Sequence, residues 1–286
     1  MSDFDVVDAP GIELGEHPIW DAESGRVAWV DVFAGELRWL GADGVERWRF
    51  PAPLGAAAVR RGGGVVAAAG DGIHFRDADG REDRPPIVGF LPAGVRFNDG
   101  ACDPAGNFVC GTVSGAGLPG MGSLYRVGAD GAVETLVTGV TESNGLAWSA
   151  DGATMYYVDS GEPVVRRYRY SADGAPQRGA DLCTVPAGGG VPDGLCLDAL
   201  GDLWIAIWEG SALWRVSPGG ELLEEIATPV SRPTCPTFGG SDLGTLFVAT
   251  AWEGMDARER AGEPWAGHLL ACRPQVPGAA VPAFAG

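Results

Sequence analysis

Residues 145–160, GLAWSADGATMYYVDS, decide the fold. An apolar run meets a turn built on Asp-Gly, and a β-rich run of similar length follows it. Neither run is long enough for a stable helix, and the turn chemistry is that of a hairpin. Working outward, the same unit recurs as PIWDAESGRVAWVDV at 18–32, GACDPAGNFVCGTV at 100–113, GLCLDALGDLWIAIW at 194–208 and TFGGSDLGTLFVATAW at 237–252. GAAAVRRGGGVVAAAG at 55–70 is a degenerate sixth copy. A third strand follows each unit and ends in a second turn: GADG at 41–44, DADG at 77–80, GADG at 128–131, SADG at 171–174 and SPGG at 217–220. A repeat of about 40–50 residues built from short strands is the size of one propeller blade. Six of them account for nearly all of the 286 residues. The expectation is an all-β, six-bladed propeller forming one domain over 1–286, with a central channel.

Composition narrows the function. Lys and Arg number 20 against 38 Asp and Glu, a net charge of −18. Such a chain is repelled by nucleic acid and by anionic membrane surfaces, so neither is expected as a partner. No apolar run reaches the roughly 20 residues of a membrane span. The acidic start MSDFDVVDAPG lacks the pattern of a secretory signal, so a cytoplasmic protein with free thiols is expected. The six cysteines contain no CxxC pair, and most are expected to fill small buried apolar roles.

Register points to a site. The first turn of the repeats opens at Asp21, Asp103, Ser149 and Asp198, and five residues earlier stand Glu16, Asn98, Asn144 and Asp193. Each carries a side-chain oxygen. The same count gives Gly55 in the second repeat and falls near Cys235 or Pro236 in the sixth. Inner strands of all blades begin at one mouth of the channel, so these residues converge there. An oxygen-only donor set suits one hard divalent cation such as Ca²⁺, Mg²⁺ or Mn²⁺, while Zn²⁺ and Fe²⁺ would tolerate it. Asn144 or Asp193 alone, each followed by glycine, would fit a plain turn better than a ligand. Four matching registers favour a cluster.

Arg96, two residues before Asn98, shares its face in an extended strand, and Asp99 is expected to point away or along the rim. Arg96 suits a substrate oxygen, or a salt bridge with a neighbouring acid. Loops after the second strands return to the same mouth. They bring Trp208 and Trp252 as pocket walls or inter-blade packing, and Glu209 or Glu253 as hydroxyl acceptors. Of the three histidines, His17 lies beside Glu16, and His74 and His268 are expected on blade surfaces. No GxSxG elbow accompanies them, so no Ser-His-Asp centre competes.

LGEHPIW at 14–20, RFNDG at 96–100 with DPAG after it, SNGLAWS at 143–149, MYYVDS at 155–160 and PDGLCLD at 192–198 together resemble the senescence marker protein/regucalcin–gluconolactonase family. The likeness runs in order along the whole chain. It implies a six-bladed propeller holding one divalent metal and hydrolysis of sugar lactones to aldonic acids. By the same resemblance Glu16, Asn144 and Asp193 match metal ligands, Arg96 and Asn98 match substrate contacts, and Asp193 matches the general base. Two features depart from the family pattern. His17 replaces a small residue, and TVSGAGLPGM at 112–121 lacks the carboxylate that relatives place there for sugar hydroxyls. Two rival readings keep the propeller and its metal: hydrolysis of another ester, such as a phosphotriester or aromatic lactone, and a non-catalytic metabolite-binding role. A monomer or weak homo-oligomer is expected.

Overall fold

The structure is a computed structural model that describes residues 4–7, 11–41 and 44–286. It contains six four-stranded antiparallel sheets arranged as a six-bladed β-propeller. The first sheet holds β2 (Gly15–Asp21), β3 (Arg26–Asp31), β4 (Glu36–Gly41) and β5 (Gly44–Arg49). The second holds β6 (Leu54–Val59), β7 (Val65–Ala69), β8 (Gly72–Arg76) and β9 (Ile87–Val88). The third holds β10 (Val95–Cys102), β11 (Phe108–Ser114), β12 (Gly122–Val127) and β13 (Val133–Val140). The fourth holds β14 (Ser143–Trp148), β15 (Thr154–Asp159), β16 (Val164–Arg169) and β17 (Gln177–Thr184). The fifth holds β18 (Val191–Leu197), β19 (Leu203–Trp208), β20 (Ala212–Val216) and β21 (Leu222–Ala227). The sixth closes the ring: β22 (Pro233–Gly239), β23 (Thr245–Thr250) and β24 (Leu270–Cys272) take β1 (Asp5–Val6) as their outer strand. A short helix, α1 (Ala257–Gly262), lies between β23 and β24.

Each blade therefore has one strand more than the repeat suggests. The second turns join the third strand to a fourth rather than ending a blade; residues 42–43 of the first such turn lie outside the described residues. The fourth strands are poorly visible in sequence because they are half solvated: β21, LLEEIA, is exposed over most of its length.

Packing explains the apolar second strands. Six buried clusters lie one between each pair of neighbouring blades. In β3, Val27 and Trp29 pack toward the sixth blade while Ala28 and Val30 pack toward the second. Both faces are covered, so the apolar–polar alternation of a half-exposed strand disappears. Residues 277–286 run along the turn end of the propeller, bonding to Leu243, Leu197, Val59 and Gly106, with Phe284 fully buried against Phe75. The opposite end is left open for the site. No helix among the described residues is long and apolar enough to cross a membrane.

Candidate metal and substrate site

Every inner strand breaks register at the same level. Pairing with the second strand shifts at Glu16/Ile19, Leu54/Ala56, Phe97/Gly100, Ser143/Leu146, Pro192/Leu195 and Pro233/Cys235. At this level stand, in one ring, Gly55, Asn98, Asn144, Asp193 and Thr234, each just after the last regular pair, and Glu16, which is itself the last paired residue of its strand. The sixth position is thus Thr234, not Cys235 or Pro236, because β22 loses a single residue at its bulge. Thr234 is fully buried, and its Oγ1 donates to Gly15 O at 2.7 Å, tying the last blade to the first. Gly55 leaves the ring without a side chain there because a Cβ would lie 2.5 Å from the Phe97 carbonyl carbon.

A bulge also turns two consecutive residues inward, which alternation forbids. This overturns the expectation for Asp99. It does not point away; it is buried to 3% exposure and its Oδ1 lies 2.7 Å from His17 Nδ1. His17, in left-handed backbone at φ 43°, donates from Nε2 to Ala57 O at 2.8 Å. It therefore links the first three blades. Cys235 joins this next ring, with its sulfur within 4.8 Å of the His17 and Asp99 ligand atoms. All six cysteines are free, and five are buried. His74 is buried too, against Phe50, and not on a blade surface, whereas His268 is half-buried beside α1.

The two rings differ in what they leave unsatisfied. His17 has both ring nitrogens bonded, whereas Asn144 Oδ1 and Asp193 Oδ1 are buried without a hydrogen-bond partner. The amide of Asn144 is oriented by Nδ2 donating to Ser160 Oγ at 3.0 Å, and Ser160 in turn donates to Pro192 O at 2.8 Å. Asn98 is different: its Oδ1 accepts from Arg96 Nη1 at 2.8 Å and its Nδ2 donates to Ser143 O at 2.9 Å. Its amide is already committed, so the fourth oxygen of the register serves Arg96.

Electrostatics agree. Burial, then the Asp99 carboxylate, pushes Glu16 well above the ordinary carboxylate range; burial, then Glu16, does the same to Asp193. Two acids buried so close together resist joint ionisation. A divalent cation among Glu16, Asn144 and Asp193 would offset both charges and engage both orphaned oxygens, so the residues present fit such an ion.

These three residues line an open cavity of about 130 Å³, together with Leu14, Arg96, Asn98, Glu142, Ser160, Val191, Trp208 and Glu253. Trp208 is a wall of it, with the Arg232 guanidinium 5.3 Å from its ring centre on the way to Glu209. Glu209 is exposed and paired to Arg232, so Glu253 alone of the two expected acceptors reaches the cavity. Trp252 lines a separate cavity of about 220 Å³ beside α1, under Arg260. The 112–121 loop contributes nothing to the site.

Glu142 and Ser160 were not anticipated. Glu142 stands two residues before Asn144, as Arg96 does before Asn98, so the same-face count applied once more finds it. Asp159 fixes it there by accepting the backbone N–H groups of Thr141 and Glu142 at 3.1 and 2.9 Å. Burial raises the carboxyls of Glu142 and Glu253 while Arg96 lowers them.

With the geometry in place, known proteins give a consistent answer. A model of the SMP-30/Gluconolactonase/LRE-like region matches residues 14–252. A 6-deoxy-6-sulfogluconolactonase of Pseudomonas putida is 38% identical over 98% of both chains. Regucalcin of Xenopus laevis is 32% identical over 96% of this chain and 95% of its own. The crystal structure of a calcium-binding regucalcin from Agrobacterium tumefaciens matches with a TM-score of 0.89 at 28% identity, covering 98% of this chain and 96% of that one.

Proposed function

The chain belongs to the SMP-30/gluconolactonase/LRE-like family, and we propose that it hydrolyses sugar lactones to aldonic acids with one divalent cation held by Glu16, Asn144 and Asp193. The observation that carries this reading is the pair of buried, partnerless oxygens on Asn144 and Asp193 beside two acids that burial keeps from ionising together. Relatives named as a lactonase and as calcium-binding support the substrate class and the ion. The six blades act as one domain in the cytoplasm, on a small molecule and without nucleic acid or membrane. Calcium, magnesium and manganese suit the donor set, and zinc and iron are tolerated.

The bound ion would supply Lewis-acid polarisation of the lactone carbonyl and acidify a nearby water. The residues do the rest. Asp193 takes the proton of the attacking water as the carbonyl carbon becomes tetrahedral, and returns it to the ring oxygen, which leaves as an alcohol as its bond to the acyl carbon breaks. Arg96 stands over the cavity with Nη1 held by Asn98 Oδ1 and Phe97 O, leaving its other N–H groups to bind the carbonyl side of the ring. Trp208 offers a flat wall to the sugar face.

Asp193→Asn tests the assignment. It keeps an oxygen ligand and removes the base, so turnover of glucono-δ-lactone is expected to fall by roughly 100-fold or more at saturating cation. A variant with wild-type kcat and full metal occupancy contradicts the role.

A further inference from the structure

We propose that Glu142 and Glu253 are the hydroxyl-binding residues of this cavity and that together they restrict it to lactones of uncharged sugars, rejecting those with a second anionic group. The inference rests on the lactonase reading above and deepens it.

Both carboxylates line the cavity, half-buried, Glu142 just before β14 of the fourth blade and Glu253 just after β23 of the sixth. Among the described residues neither takes a side-chain hydrogen bond or an ion pair. Their backbones, by contrast, are fixed: Glu142 by Asp159, and Glu253 through its N–H to Glu13 O and its carbonyl from Arg232. Two anchored acceptors without donors match a ligand rich in O–H groups, because an ionised carboxylate accepts from hydroxyls through short, charge-assisted bonds. They lie next to the orphaned Asn144 and Asp193 oxygens, so the ligand they meet is the one bound at those atoms.

Charge sets the selectivity. Among the described residues Arg96 is the only cationic side chain lining the cavity, beside four carboxylates. A divalent cation offsets Glu16 and Asp193, and Arg96 offsets one charge of Glu142 and Glu253, so the cavity stays net negative and repels a sulfonate, phosphate or carboxylate on the sugar tail.

Kinetics on glucono-δ-lactone, 6-phosphogluconolactone and 6-deoxy-6-sulfogluconolactone decide the matter. Wild-type kcat/KM is expected to favour the uncharged lactone by on the order of 100-fold. In Glu142→Gln/Glu253→Gln, KM for glucono-δ-lactone rises about tenfold at near-constant kcat, because uniform binding is lost. The preference over the anionic lactones shrinks at least tenfold. Equal or better turnover of an anionic lactone by the wild type, or an unchanged preference in the double variant, overturns the proposal. If no lactone is hydrolysed with any cation, the lactonase reading fails separately. The charge preference is then decided by calorimetry: glucitol binding more tightly than glucitol 6-phosphate supports it, and the reverse order overturns it.

Discussion

At the residue scale, the site is a problem of two buried acids sharing one channel mouth. Glu16 and Asp193 are held above their ordinary values chiefly by burial, so the cation-free fold keeps protons that the unfolded chain has released. Stability of the metal-stripped protein therefore falls as pH rises above about 4. A saturating divalent cation flattens that slope by replacing the protons. Melting temperatures at pH 5 and 8, with and without cation, check the sign; a stripped protein that melts higher at pH 8 contradicts it. A chain of net charge −18 also repels itself as pH rises. Glu16→Gln separates the two effects, since its slope is expected to be shallower than the wild type's at almost unchanged total charge.

At the element scale, the bulge in each inner strand is what makes a site from a repeat. It brings successive residues to the channel, so an oxygen ring and the His17–Asp99–Cys235 ring arise from adjacent positions. Sequence placed Glu16, Gly55, Asn98, Asn144 and Asp193 at one level by counting from a turn, and the count missed Thr234 in the sixth blade, where β22 bulges by a single residue. Asp99 was missed because strict alternation does not survive a bulge. Glu142 was within reach of the Arg96 argument, and only Asp159, a partner in the next strand, explains why its carboxylate is presented so firmly. The glycines that follow Asn144 and Asp193 serve close approach: a Cβ on Gly145 would lie 2.6 Å from Asp193 O and 2.7 Å from Leu195 N. Gly145→Ala must push the fourth and fifth blades apart. It is expected to cost about 1–3 kcal/mol and to weaken cation binding, both readable by melting and titration. Unchanged values for both would mean that the inner strands are not packed as described.

At the scale of the whole molecule, six-fold repetition was plain in the hairpin units, and the means of closure were not. A two-residue strand, Asp5–Val6, is too short to show alternation, and it completes the sixth blade only through its pairing with β24. The C-terminal strap is likewise invisible as a pattern, since residues 277–286 bond to four blades without forming a strand. Its anchor is Phe284, in contact with Phe75 and with no exposed surface. Phe284→Ala is expected to destabilise the fold by about 3–5 kcal/mol, measured by denaturant unfolding. The cavity at the other mouth keeps its cation affinity. A loss of affinity as large as that of Glu16→Gln would show that strap and site are not independent.

The most direct test of the account is acid release from glucono-δ-lactone by metal-stripped protein, with calcium, magnesium, manganese or zinc added back singly. Turnover is expected to depend on the added cation. In Glu16→Gln it should require about tenfold or more cation. Hydrolysis at the wild-type rate in stripped protein, or a Glu16→Gln variant with unaltered cation dependence, would contradict the claim that Glu16, Asn144 and Asp193 hold the ion on which the reaction depends.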